Sequence, residues 1–284
     1  WDVHPDRDDE WFKTETKNMS RRQIAQEYEC NFNTSGDTVI HPDDIAWVNE
    51  STKEPQYRTG WDRNFWIWEK YIEGEQYLLV GDVARGDGTD SSVFHVIKLS
   101  TMEVVAEYQG KPTLDMFAKI LYDAGIEYGK CLLVVENNGI GISVLEKLIN
   151  LGYPNLYYSM KSSHEFIEAN QGEVNDRAIP GFTTSTKTRP LIVAKLEEYI
   201  RNRVVTLHSS RLFHEMKTFI WKNGKPQAMR SYNDDLIMSL AIACWVRDTA
   251  LEVNEKQVEY QKAMLNSMYC STKKLNTSIK GMNE

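Results

Sequence analysis

The stretch Tyr77-Leu78-Leu79-Val80-Gly81-Asp82-Val83-Ala84-Arg85-Gly86-Asp87-Gly88-Thr89-Asp90-Ser91-Ser92 decides how this chain folds. Its first five residues are an apolar run of strand length, Asp82 ends the run, and a glycine-rich loop leads into a second apolar segment, 92–99. The short turn Ser100-Thr101-Met102 then returns the chain into a third strand, 103–109. Three strands joined this closely form an antiparallel meander. Downstream, 113–129 places Leu114, Phe117, Ile120, Leu121 and Ala124 at helical spacing. The continuous apolar run 131–136 reads as a strand buried on both faces, of the kind found inside a mixed sheet. A helix over 140–151 stops at Gly152, and 156–160 reads as a further strand. The alternation of strands and helices predicts an α/β fold around one mixed central sheet flanked by helices.

Working outward, the first ten residues are acidic and polar and read as a linker. Ser20 and Gln23 form a capping box for a helix through Cys30. His41-Pro42-Asp43-Asp44 reads as the start of a short second helix with Pro at an early position, and 65–68 reads as a strand. Residues 162–185 lack periodicity and are expected to form a long loop. Beyond them come a basic amphipathic helix over 186–203, a strand over 204–207 and a helix over 209–220. Asn223-Gly224 marks a hairpin turn within 221–229. Residues 234–246 are almost wholly apolar after the first two, which predicts a buried helix, and the polar segment after Asp248 is expected to be partly disordered.

Composition narrows the class. The 284 residues are 41% hydrophobic, 26% charged and 11% aromatic, which excludes collagen-like and low-complexity chains. No apolar run approaches the 18 residues of a membrane span. The chain starts Trp-Asp-Val-His, so a fragment of a longer protein without a signal peptide is expected. Four widely spaced cysteines, Cys30, Cys131, Cys244 and Cys270, make neither a disulfide framework nor a zinc ribbon and fit a reducing compartment. Net charge is −8, yet from Lys187 to Arg230 ten Lys and Arg stand against three Glu, a local balance of +7. A basic stretch inside an acidic chain suits a metal-dependent enzyme acting on nucleic acid; two solvated helical faces of unequal charge would read the same way. Lys187, Arg189, Arg201 and Arg203 are the candidate DNA contacts.

Three acidic positions share a context. Asp82 ends one apolar strand, Glu136 ends another, and Asp234-Asp235 opens the buried helix. Strand ends and helix starts of an α/β sheet converge on a common crevice, and clustered carboxylates there can hold divalent cations. A pair of such ions roughly 4 Å apart would serve phosphodiester hydrolysis. Singly, each position has an ordinary reading: turn chemistry for Asp82, a strand-to-helix loop for Glu136, a helix-dipole acid for Asp234 or Asp235. Jointly, carboxylates beside a core cost energy unless something cationic compensates them. No phosphate-binding G-x-x-x-x-G-K-[ST] loop, HExxH or GxSxG occurs. His95, inside an apolar strand, reads as a core histidine.

The segments 77–92, Leu133-Val134-Val135-Glu136-Asn137-Asn138-Gly139 and Ser231-Tyr232-Asn233-Asp234-Asp235-Leu236 resemble, in order, the three acidic motifs of the nuclease domain of the large terminase subunit of tailed, T4-like bacteriophages. Gln23-Ile24-Ala25-Gln26-Glu27-Tyr28 is similar to the segment that joins that family's packaging ATPase to its nuclease. The resemblance runs over about residues 1–250. It implies an RNase H-like fold and Mg²⁺-dependent endonucleolytic cleavage of concatemeric double-stranded viral DNA, with Mn²⁺ able to substitute. It further implies a metal triad of Asp82, Glu136 and one of Asp234 and Asp235, with Asp90 as supporting acid. Arg85 departs from the family pattern, so no metal-supporting role is carried over to it. Portal protein and the small terminase subunit are implied as partners of the full-length motor, in the host cytoplasm. The corresponding division is a linker and helical segment over 1–60, the nuclease domain over 61–250 and a tail over 251–284. A non-catalytic DNA- or portal-binding module would use the basic stretch without needing the three acids. An actin-like ATPase would need a second phosphate hairpin and an adenosine motif, neither of which the sequence contains.

Overall fold

Period-two alternation splits the apolar run before Asp82 between two cores: Leu78 and Val80 pack on one face of a sheet, Tyr77 and Leu79 on the other. That is why the run is continuous rather than alternating. The computed structural model describes residues 9–16, 38–85, 88, 90–160 and 178–248. The helix expected through Ser20–Cys30, most of the loop 162–185 and the tail after Asp248 lie outside the described residues.

Six strands form the central sheet: β1 (Tyr57–Thr59), β2 (Phe65–Ile67), β3 (Tyr77–Asp82), β4 (Ser92–Lys98), β5 (Glu103–Gly110) and β6 (Leu132–Val135). Their order is β1-β2-β5-β4-β3-β6, antiparallel throughout except that β6 runs parallel to β3. The expected meander is β3-β4-β5, and the mixed character comes from the single crossover through α3 (Leu114–Glu127). Thr113 caps α3, its hydroxyl accepting from the Met116 N–H.

Helices cover both faces. On the face of Leu78 and Val80 lie Ile45 and Val48 of α2 (Pro42–Ser51), Ile192 and Leu196 of α5 (Thr188–Arg201), Leu212 and Met216 of α6 (Ser210–Thr218), and the apolar residues of α7 (235–248). On the opposite face lie Phe117, Leu121 and Ala124 of α3 with Val144, Leu145 and Leu148 of α4 (Gly141–Asn150). A short N-terminal helix, α1 (Asp9–Glu15), precedes these elements. Within the segment preceding position 60, α2 contributes to the first core and β1 extends the sheet.

Three local expectations change. The strand expected at 204–207 reduces to one parallel bridge between Thr206 and Glu103. The helix expected over 209–220 ends at Thr218, because Phe219 starts a hairpin of β9 (Phe219–Lys222) and β10 (Lys225–Ala228). Asn223 and Gly224 turn it with φ of 51° and 73°, both left-handed as a two-residue hairpin requires. At the end of the expected loop, β8 (Ala178–Pro180) pairs antiparallel with β7 (Tyr158–Met160).

Candidate active site

Parallel pairing places the first two acids side by side. β3 and β6 are in register at Gly81 and Val135, and the Glu136 N–H donates to the Gly81 carbonyl at 2.9 Å. Asp82 and Glu136 therefore leave adjacent strand ends together, their carboxyl groups within hydrogen-bonding reach. Burial holds the Asp82 carboxyl well above the usual carboxylate range, and the charges of Glu136 and Asp235 push it further up.

The turn after Glu136 is built tightly around it. A Cβ at Gly141 would lie 1.9 Å from the Glu136 carbonyl oxygen, so α4 can start there only with glycine. Asn138 Nδ2 donates to Glu136 Oε1 at 2.9 Å and to the Thr184 carbonyl at 2.6 Å, which fixes the carboxylate's orientation. Asn137 is buried and clamps the next segment, donating to the Pro180 carbonyl at 3.0 Å and accepting from Thr183 Oγ1 at 2.9 Å. Both asparagines stand inside a motif read from the sequence, but only the fold reveals what they hold.

The adjacent aspartates separate cleanly. Asp235, the first residue of α7, accepts from the Ser91 N–H at 2.8 Å, which ties α7 to the loop between β3 and β4. Burial pushes its carboxyl up to about 6, helped by the charges of Asp90 and Asp234 and opposed by the Ser91 and Asn233 hydrogen bonds. Asp234 is ion-paired with Arg189 and accepts from the Ala228 N–H at 3.2 Å. Arg189 is completed by donation from Nε to the Pro226 carbonyl at 3.1 Å. Asp235 is thus the one whose charge reaches Asp82, while Asp234 fastens α5 and the hairpin. Asp90 is exposed on the loop and acts on Asp235 through its charge.

Sequence reasoning missed Glu215. Nine-tenths buried in α6, it accepts from the Leu236 and Ile237 N–H groups at 3.0 and 3.2 Å and from Gln109 at 3.2 Å. It caps α7 from another helix, and burial, with the Asp235 charge, holds its carboxyl well above the usual range. A glutamate at this spacing on an amphipathic helix carries no signal of such a role.

The donor set fits a hard divalent cation: carboxylate oxygens with neither His nor Cys, crowded enough that a positive charge would relieve them. Among the described residues no three His, Cys, Asp or Glu side chains already converge as a complete ligand cluster. The arrangement is a carboxylate pair with Asp235 on its edge.

The four basic candidates do not gather. Lys187 and Arg189 stand at the start of α5, beside the site. Arg201 and Arg203 are at its far end, about 20 Å away for 14 residues at a helical rise of about 1.5 Å. Arg201 pairs with Glu197 at 2.6 Å; Arg203 pairs with Asp44 at 2.7 Å and stacks on Trp47. His95 is a core histidine as expected, fully buried against Glu107 and Ser239.

No protein-family model matches the chain. Its fold is that of large terminase nuclease domains. The nuclease of thermophilic phage G20c with bound magnesium superposes with a TM-score of 0.54 at 18% identity, over 73% of this chain and 96% of that one. The cobalt-bound form of the same nuclease gives the same values. The nuclease domain of Thermus phage P74-26 gives 0.51 at 18% identity, over 70% and 93%. The expected RNase H-like α/β architecture, a mixed sheet with helices on both faces, is therefore present. Among the described residues no helix is long and apolar enough to cross a membrane.

Proposed function

We propose that this chain is a metal-dependent endonuclease that cuts concatemeric double-stranded viral DNA during genome packaging, within the T4-like group of large terminases. The observation that carries the reading is the Asp82–Glu136 carboxylate pair, in contact at adjoining strand ends, with Asp235 alongside. Fold likeness to the G20c and P74-26 nucleases supports it, one of them determined with magnesium bound.

In this reading Asp82, Glu136 and Asp235 hold Mg²⁺ or Mn²⁺, with Asp90 supporting from the loop. The bound metal would polarise the phosphodiester and lower the pKa of an attacking water. The chain's own part is placement. Asn138 keeps Glu136 aimed, the Ser91 N–H keeps Asp235 at the pair, and Arg189 holds Asp234 away from it. Lys187, at the start of α5, is proposed to meet a backbone phosphate. Arg189, Arg201 and Arg203 already face carboxylates, so their part in DNA contact is secondary. The nuclease unit is proposed to take in α2 and β1 besides residues 61–250, since both belong to its core and sheet. Portal protein and the small terminase subunit are the partners proposed for the full motor, and the host cytoplasm its place of action.

Digestion of supercoiled plasmid tests this. Mg²⁺ or Mn²⁺ should give nicked and linear products, EDTA none, and Asp82→Asn none with either metal. A plasmid left intact by the unsubstituted chain with both metals would overturn the assignment.

A further inference from the structure

On the Asp235 side of the carboxylate pair lies an open cleft of about 650 Å³, lined by Lys111, Arg211, His214, Ser231, Tyr232 and Asn233. Its volume falls inside the range of about 300–1,000 Å³ typical of binding clefts. Two independent features join it to the acids. Gly110 is in register with Ser92, so Lys111 follows the strand end opposite Ser91, whose N–H holds Asp235. Lys111 Nζ also donates to the Gly88 carbonyl at 2.8 Å, within the loop that carries Asp90. The other wall, Ser231-Tyr232-Asn233, runs straight into Asp234 and Asp235, and Asn233 Nδ2 donates to Asp235 Oδ2 at 3.4 Å.

The lining has the chemistry of a polyanion with a flat face. Lys111 brings positive charge, while the Arg211 guanidinium is taken up by Glu107 and the Asn64 carbonyl, and Tyr232 is 52% exposed although large and aromatic. Ser231 holds a left-handed backbone, φ 71°, unusual for a residue with a side chain and of the kind retained where a site requires it. The acid in the lining, Glu215, spends its oxygens on Gln109 and on the start of α7.

We propose that this cleft carries the DNA strand immediately beside the cleaved phosphodiester, with a flanking phosphate on the Lys111 ammonium and the neighbouring nucleotide's sugar and base against the Tyr232 ring. The inference rests on the nuclease reading above and adds to it the path of the substrate. It shifts the strand from the outer turns of α5 to the junction of β5, α6 and the start of α7.

Binding of a fluorescent duplex by the full chain in EDTA, followed by anisotropy over a salt series, tests the path without cleavage. Lys111→Ala should weaken binding about five- to tenfold and reduce the slope of log affinity against log salt by about one. Lys111→Arg should restore both. Tyr232→Ala should weaken binding severalfold with the slope unchanged, as loss of an uncharged contact requires. Lys119→Ala, an exposed cation on α3 paired with Asp123, should change nothing. Unaltered affinity and slope in Lys111→Ala, or an equal loss in Lys119→Ala, would overturn the path. Should plasmid be cut while Lys111→Ala binds normally, the path alone fails; should Lys111→Ala behave as expected while plasmid stays intact, the nuclease reading alone fails.

Discussion

Glu107 has no exposed surface, yet it stays charged because a guanidinium and a hydroxyl both donate to its Oε1. Ser209 Oγ and Arg211 Nε each donate to it at 2.8 Å, and His95 Nε2 lies 3.3 Å away. Burial alone would raise its carboxyl; the close approach of His95 and the Arg211 charge outweigh this and hold it below the usual value. A carboxyl with a depressed folded-state pKa stabilises above its unfolded value near 4.5, and that stability is lost as pH falls through the folded value. Glu107→Ala, which strands Arg211 and His95, should cost about 3–5 kcal/mol at neutral pH in denaturant unfolding. The variant should also lack the part of the acid destabilisation that Glu107 contributes. An unchanged midpoint would show that the cluster is not a stabilising one. The adjacent aspartates allow a sharper comparison. Asp235→Asn should abolish plasmid cleavage. Asp234→Asn, which breaks the part-buried Arg189 pair, should cost about 1–2 kcal/mol of stability and keep measurable cleavage. Equal loss of cleavage in both would remove the distinction.

At the scale of elements, the strand-to-helix turn after β6 is where backbone geometry and the acids are most tightly coupled. Gly141→Ala would drive a methyl into the Glu136 carbonyl, so the turn must open and carry Glu136 off the Asp82 carboxyl. Plasmid cleavage should fall by well over an order of magnitude, while unfolding shifts by only about 1–3 kcal/mol, the usual penalty of overpacking. Near-normal cleavage would mean that Glu136 tolerates displacement. The same turn marks how far the sequence can be read. The strands β3 to β6, the helices α3 to α5 and α7, and the positions of Asp82, Glu136 and the Asp234-Asp235 pair follow from periodicity, caps and turn residues, all of them local. What Asn138 holds, which acid Arg189 claims and what caps α7 are pairings across 45 residues or between separate helices, and no local pattern encodes them. Residues 204–207 misread as a strand for a related reason. Val205 and Leu207 are buried by packing rather than by pairing, and only Thr206 reaches the backbone of β5.

Across the whole molecule, the carboxylates stand where both helix layers and the sheet meet: Asp82 and Glu136 end the neighbouring strands β3 and β6, and Asp235 opens a buried helix. Each side of the sheet therefore contributes to keeping like charges together, and metal-free folding must bear their repulsion. The sign of the pH dependence follows. With carboxyls raised above their unfolded values, Asp235 to about 6 and Asp82 well above the usual range, the folded chain keeps protons that the unfolded chain has released. Raising pH from near 4 through 6 then removes stability from the metal-free protein. Mg²⁺ binds the deprotonated groups of the folded state only, so its stabilisation should grow over the same window. At a hundredfold excess over Kd it amounts to about 2.7 kcal/mol, which for a domain of this size is a rise in Tm of about 5–10 °C. Asp82→Asn should melt at or above the metal-free parent, because one repelling charge is gone, and should show no response to Mg²⁺. Thermal melts at pH values either side of 6, with and without the ion, provide the measurement. A Mg²⁺ shift of equal size in the parent and in Asp82→Asn would mean diffuse binding over an acidic surface, and the carboxylate pair would lose its place as the metal site.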